Sequence, residues 1–332
     1  PTNITIQKQS SYGTANVDAI TAGNATLFLQ KAKRKIRELQ YNFDSDGYIA
    51  PDLTILNDIV TKSGINEMAY QQEPDSILWC VRDDGVFAGL TYQRSENVVA
   101  WHQHKLGATG YGVVESVASI SGTLTEDELW VIVKRTINGA TKRYVECFAD
   151  FDFDETTSTD FRFLDSHLTY SGGATTTLSG LSHLEGQVVS ILADGATHAD
   201  KTVSSGSITL DRSVTSAVVG LNYESILQTM RIEGGAAEGT AQGKTKRISK
   251  VVLRLFETVG VKVGPSLTSL ETIPFRTTSS ALGSPVSTLI AGDKEIEFRD
   301  DYNTDGFIFV KQDQPLPLSV LAIFPTVVTS DG

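Results

Sequence analysis

The chain has 332 residues, with 28 Lys and Arg against 40 Asp and Glu, and a formal charge of −12. Phosphate contact needs clustered basic side chains, so this balance argues against a DNA-binding surface, while an acidic wall along which a duplex slides stays compatible with it. With 40% hydrophobic residues and no apolar run near the roughly 20 residues that span a bilayer, the composition is that of a globular protein with room for two or three cores and no membrane insertion.

The opening Pro1-Thr2-Asn3-Ile4-Thr5-Ile6 lacks the basic start and apolar stretch of a signal peptide, and it runs straight into strand-like sequence. That beginning is expected of a piece of a larger protein. A repeat follows: Leu27-Phe28, Leu78-Trp79 and Leu129-Trp130 each open a strand-like run, and each run is followed by a second one. Asp84-Gly85 and Asn138-Gly139 are strong hairpin signals, because both residue types tolerate positive φ. In the middle unit, Ile65–Gln71, Ile77–Arg82, Val86–Arg94 and Val98–His104 read as four consecutive strands. Four antiparallel strands over about 50 residues are the footprint of a β-propeller blade. Between the first two units, Asp52–Ser63 reads as a short amphipathic helix with Leu53, Leu56 and Val60 on one face.

The fold expected is all-β: a partial propeller over residues 1–150, a small β-barrel or sandwich over 164–233, and a C-terminal β segment over 244–332. In the second part the strands are read at Gln187–Ala193, Lys201–Val203, Ser207–Leu210 and Ala217–Leu221, and in the third at Ile248–Glu257, Glu295–Arg299, Gly306–Lys311 and Ser319–Phe324. Two or three blades do not close a propeller, so the remaining blades are expected from a missing N-terminal part or another chain. The long connections around Gly264–Gly292 are expected to be contact surfaces.

Several motifs look like chemistry. Gly239-Thr240-Ala241-Gln242-Gly243-Lys244-Thr245 is one residue short of a phosphate-binding loop, and β-type sequence follows it instead of a helix. Asp301–Gly306 matches half of a calcium loop, but a turn at Asp305-Gly306 explains the same residues. Asp150, Asp152 and Asp154 alternate with Phe151 and Phe153, which puts three carboxylates on one strand face as a weak metal candidate. His102 and His104 share a face, as solvent-facing or interface histidines. Cys80 and Cys147 sit in apolar runs as small buried hydrophobes. Trp79, Trp101 and Trp130 recur in matching strand contexts, either packing between blades or offering aromatic faces to a glycan. No nucleophile elbow, zinc-protease or Cys-x-x-Cys motif is present, so no catalytic residue and no cofactor is assigned.

The middle unit carries a resemblance. Met68-Ala69-Tyr70-Gln71-Gln72-Glu73-Pro74-Asp75-Ser76-Ile77-Leu78-Trp79-Cys80-Val81, then Gly89-Leu90-Thr91-Tyr92 and Ala100-Trp101-His102, resembles a family of tail proteins from phages and prophages. The likeness continues through Glu128-Leu129-Trp130, Arg135–Gly139, Leu184–Gln187, Ala193–Gly195, Gly239–Lys244 and Gln312–Leu318. The family is similar to the C-terminal part of the tubular nozzle proteins of podovirus-type tails. The resemblance implies a non-enzymatic structural subunit of the virion tail, assembled in the host cytoplasm. It implies a homo-oligomer, most simply a hexameric ring, meeting portal, adaptor and tail-fibre proteins, with DNA only as passing cargo during ejection. A receptor- or glycan-binding tail module is the alternative.

Overall fold

The computed structural model describes residues 8, 10–107, 110–122, 126–149, 161–233, 240–275 and 289–330. Among them the regular structure is β-strand, with two short 3-10 turns at Arg94–Glu96 and Ser182–Leu184. The chain divides into two compact units, Pro1–Phe151 and Asp152–Gly332.

The first unit holds three antiparallel sheets in chain order. Sheet I is β1 (Ile20–Ala22), β2 (Ala25–Leu29), β3 (Ile36–Asn42) and β4 (Gly47–Ile49). Sheet II is β5 (Ile65–Gln71), β6 (Ile77–Arg82), β7 (Phe87–Gln93) and β8 (Val98–His104). Sheet III has three strands, β9 (Val113–Ser121), β10 (Asp127–Ile137) and β11 (Ala140–Cys147), in the order β11-β10-β9. The β10–β11 hairpin turns on Asn138 and Gly139, at φ of 49° and 73°, the left-handed pair that a two-residue turn requires.

The sheets pack face to face because their strands are apolar on the faces that meet. Leu27, Leu29 and Ile36 of sheet I share one core with Met68, Leu78, Cys80 and Leu90 of sheet II. Trp79, Val81 and Phe87, on the other side of sheet II, share a second core with Leu129, Val131 and Val133 of sheet III. Each such side chain, once fully buried, contributes about 1.5–3 kcal/mol. Strand β6 is therefore covered on both faces, and its sequence is a continuous apolar run, Ile77–Val81.

In the second unit, β12 (Asp165–Ser179), β13 (Val188–Ala193), β14 (Ala196–Thr202) and β15 (Ser207–Leu221) form an open sheet in the order β12-β15-β13-β14. Then β16 (Ser225–Gln228), β17 (Thr245–Thr258), β18 (Lys262–Ser266), β19 (Ser269–Thr272), β20 (Ile290–Glu297), β21 (Phe309–Gln312) and β22 (Val320–Ser330) build two more sheets, β16-β21-β18-β19 and β20-β17-β22.

Three expectations are corrected. The partial β-propeller is not formed: among the described residues, the sheets are open and none closes into a ring. A repeat specifies strands within a sheet, whereas closure depends on the number of sheets and the angles between them. Equating Leu27 with Leu78 and Leu129 also misplaces sheet I by one residue, since Leu27 faces the following sheet while Leu78 and Leu129 face the preceding one. One residue of slip exchanges the two faces of a strand. Residues 164–233 do not close into a barrel or sandwich either. Their open sheet shares a core with later sequence, through Leu192 and Val218 against Val259 and Leu316. Finally, residues 52–63 form turns instead of a helix. The Asp52 carboxylate accepts from the Thr54 amide at 2.9 Å and its hydroxyl at 2.6 Å, a local alternative to helix formation. Leu53 and Val60 reach the core, but Leu56 is 97% exposed.

Candidate functional site: the open face of the third sheet

Strand β10 carries the continuous apolar run Leu129-Trp130-Val131-Ile132-Val133, the same kind of sequence as β6. Leu129, Val131 and Val133 are buried against sheet II. Alternation sends Trp130 and Ile132 to the opposite face. Their cross-strand partners on β11 are Cys147 and Val145, and Ile120 lies opposite Glu128 on β9. Ile120 is 53% exposed, Ile132 37% and Val145 69%, so this face is apolar and open. The Trp130 indole N–H donates to Glu128 Oε2 at 2.9 Å, and the residue is half-buried.

A charged cluster borders this strip. Glu115 accepts from Arg143 Nε at 2.6 Å and pairs with Lys134 Nζ at 3.2 Å. The Arg143 hydrogen bond, joined by that of Lys134, holds the Glu115 carboxyl below the usual carboxylate range. These three groups satisfy one another and leave the apolar strip as the feature without a covering sheet.

The three tryptophans stand on three different faces and frame no common groove. Trp79 is buried between sheets II and III, stacked on Phe87 at 4.9 Å, with its N–H on Gln71 Oε1 at 2.9 Å. Trp101 is half-buried against the core of sheets I and II and donates to the Leu53 carbonyl at 3.0 Å. Trp130 matches Trp79 in spacing, yet it faces outward.

His102 and His104 are interface residues. They project from β8 over Gly89 and Phe87, with Nδ1 and Nε2 2.8 Å apart, and both rings contact Trp79. Burial lowers the pKa of both, and His102 adds to the effect on His104, which is pushed down to about 4. The expectation of two buried cysteines is half met: Cys80 is buried, its thiol pKa pushed up by burial, and Cys147 is exposed.

The other motifs bind their own chain. In the phosphate-loop-like segment, the Thr240 hydroxyl and Ala241 amide donate to the Glu233 carboxylate at 2.7 and 2.6 Å, so an internal anion already occupies those donors. In the calcium-loop-like segment, Asn303 Oδ1 accepts from the Asp305 and Gly306 amides at 2.9 and 2.7 Å. Its backbone pairs with Lys246, so a pinned loop stands where a hairpin turn is expected. Asp150, Asp152 and Asp154 lie outside the described residues. Among the described residues, no three His, Cys, Asp or Glu side chains gather as a metal site would require.

No sequence motif singles out Ile120, Ile132 or Val145. The signal that locates Ile132 is the unbroken apolar run of β10, which marks a strand suited to cover on both faces.

No family model matches the chain, and no curated protein does. Solved structures similar to it include two variant forms of exo-β-1,3-galactanase from Phanerochaete chrysosporium, each with β-1,3-galactotriose. Both are 12% identical at a TM-score of 0.23, covering 91% and 93% of this chain and 78% and 80% of theirs. These findings correct the expectation of a non-enzymatic phage tail subunit forming a DNA conduit, along with its glycan-binding tail alternative. No match supports a tail protein, and the structures named are of an enzyme. At that TM-score the likeness carries no argument about this chain's own fold or chemistry.

Proposed function

We propose that this chain self-associates, with the open face of sheet III as its docking surface. One observation carries the reading. Strands β6 and β10 have the same unbroken apolar character, yet β6 is covered on both faces and β10 on one. Exposed apolar strips of this kind mark interaction surfaces, and covering Trp130, Ile132 and Val145 removes apolar area from water at about 25 cal/mol per Å².

The test is molar mass by light scattering across a dilution series, for the full chain and for Ile132→Glu/Val145→Glu. The wild-type mass is expected to exceed one chain at high concentration and to fall on dilution. The double variant should remain a single chain with an unchanged far-ultraviolet dichroism spectrum. A wild-type chain that stays monomeric at its highest soluble concentration would refute the proposal.

A further inference from the structure

The order of side chains on the open face of sheet III also points to what covers it, an inference that rests on the self-association just proposed. Along β10 the outward residues run Glu128, Trp130, Ile132 and Lys134. On β11, Cys147 lies beside Trp130, Val145 beside Ile132 and Arg143 beside Lys134. The face is therefore polarised along its strands. At one end stands Glu128, an exposed carboxylate. The middle is apolar. At the other end the Lys134 ammonium and the Arg143 guanidinium share the single carboxylate of Glu115, at 3.2 and 2.6 Å, which leaves one positive charge in excess.

This order is balanced about Val131, with Trp130 and Ile132 next to it on either side and Glu128 and Lys134 at equal distances beyond them. Such a face is complementary to itself when one copy is reversed. A second copy laid on it with antiparallel strands, about a two-fold axis crossing β10 at Val131, brings Trp130 of each copy over Ile132 of the other. The same operation sets Glu128 of each copy against the basic end of the other. With the strands parallel instead, acid would face acid and base would face base. Packing of two sheets about 10 Å apart accepts either direction. Like charges brought together at an interface cost several kcal/mol, so the charged ends select the antiparallel one.

We infer that the open face of sheet III docks on the same face of a second copy, strands antiparallel, with Glu128 of each copy against Lys134 and Arg143 of the other. The apolar strip supplies the affinity, and the charged ends set the direction. One patch serves both copies, so the contact is isologous and association stops at two chains.

The test begins with the unaltered chain. Six residues of strand hold Glu128 and Lys134 about 20 Å apart within one copy. A carbodiimide-formed amide bond between those two side chains therefore joins different copies. Mass spectrometry of a mixture of normal and heavy-nitrogen chains should find this linkage in mixed-label form, and light scattering should level off at the mass of two chains. Charge reversal then tests the direction. Glu128→Lys should weaken self-affinity at least about tenfold, although it brings the net charge of −12 nearer zero. Lys134→Glu/Arg143→Glu should weaken it as much. An equimolar mixture of the two should pair at least about tenfold more tightly than either alone, because each end then meets its opposite again. If a variant fails to fold, by its far-ultraviolet dichroism, the linkage in the unaltered chain decides. A chain that associates without that linkage, assemblies larger than two, or a mixture no tighter than its components would each overturn the two-fold arrangement and leave sheet III as the docking surface. A wild-type chain that never associates removes both.

Discussion

His104 lies 5.2 Å from the Trp79 ring and 6.4 Å from the Phe87 ring, and its Nε2 lies 2.8 Å from His102 Nδ1. In the unfolded chain an imidazole binds its proton below about pH 6.5, and here it does so only near 4. Between those values the unfolded state holds more protons, so stability falls as the pH falls. The full difference at His104 is about 3 kcal/mol, reached once the pH is below the folded value, and His102 adds in the same direction. We predict that urea unfolding followed by tryptophan fluorescence gives markedly lower stability at pH 4.5 than at pH 7. His104→Gln should remove much of that slope, and an identical slope in the variant would show that the loss arises elsewhere. A second prediction follows from the same packing. A methyl group at Gly89 would overlap the His102 ring, so Gly89→Ala should cost about 1–3 kcal/mol, measurable in the same unfolding experiment. An undiminished midpoint would mean that the ring moves aside freely.

At the scale of elements, sheet II is tied to sheet III by a latch as well as by its core. Asp127 opens β10, and its carboxylate accepts from the backbone amides of Gln72 and Glu73 at 2.8 and 3.2 Å, while its carbonyl accepts from the Gln71 side chain at 2.9 Å. Asp127→Ala strips two amides of a charged acceptor and should destabilise the first unit by about 1–2 kcal/mol; Asp127→Asn, which keeps an acceptor oxygen, should lose less. Equal losses for the two, read from thermal unfolding, would sink this account. The strands that make this contact were legible. The apolar run from Leu129 and the turn at Asn138-Gly139 give β10 and β11, and the four strands of sheet II fall within a residue of their expected ends. What strand patterning does not encode is which sheet covers which face. Leu27 and Leu78 share a repeat position but face opposite ways along the stack. Likewise β12, rich in Thr, Ser and Gly, gave no strand signal, and its 15 residues are held by pairing to β15 across three register shifts. Cys147 belongs with these. Its strand reads as apolar, yet whether a half-apolar face is buried is decided by a neighbour that the strand's own residues do not name.

For the whole molecule, charge and the proposed interface act against each other. With a formal charge of −12, any two copies repel at long range. The surface proposed to dock gains from apolar contact, and in the cluster bordering the sheet III strip Glu115 is already paired with Arg143 and Lys134 within one chain. Salt should therefore strengthen association. Raising the ionic strength from about 0.01 M to about 0.15 M shortens the Debye length from about 30 Å to about 8 Å, which screens the general repulsion and leaves apolar burial intact. Sulfate should strengthen it further at equal ionic strength, through exclusion from apolar surface. Sedimentation equilibrium at several chloride and sulfate concentrations measures both effects, and calorimetric dilution should return a negative heat-capacity change on association. Association that weakens steadily with added chloride would mean that intermolecular ion pairs hold the copies together. In that case the Lys134–Glu115–Arg143 cluster, instead of the Trp130–Ile132–Val145 strip, would be the surface to mutate.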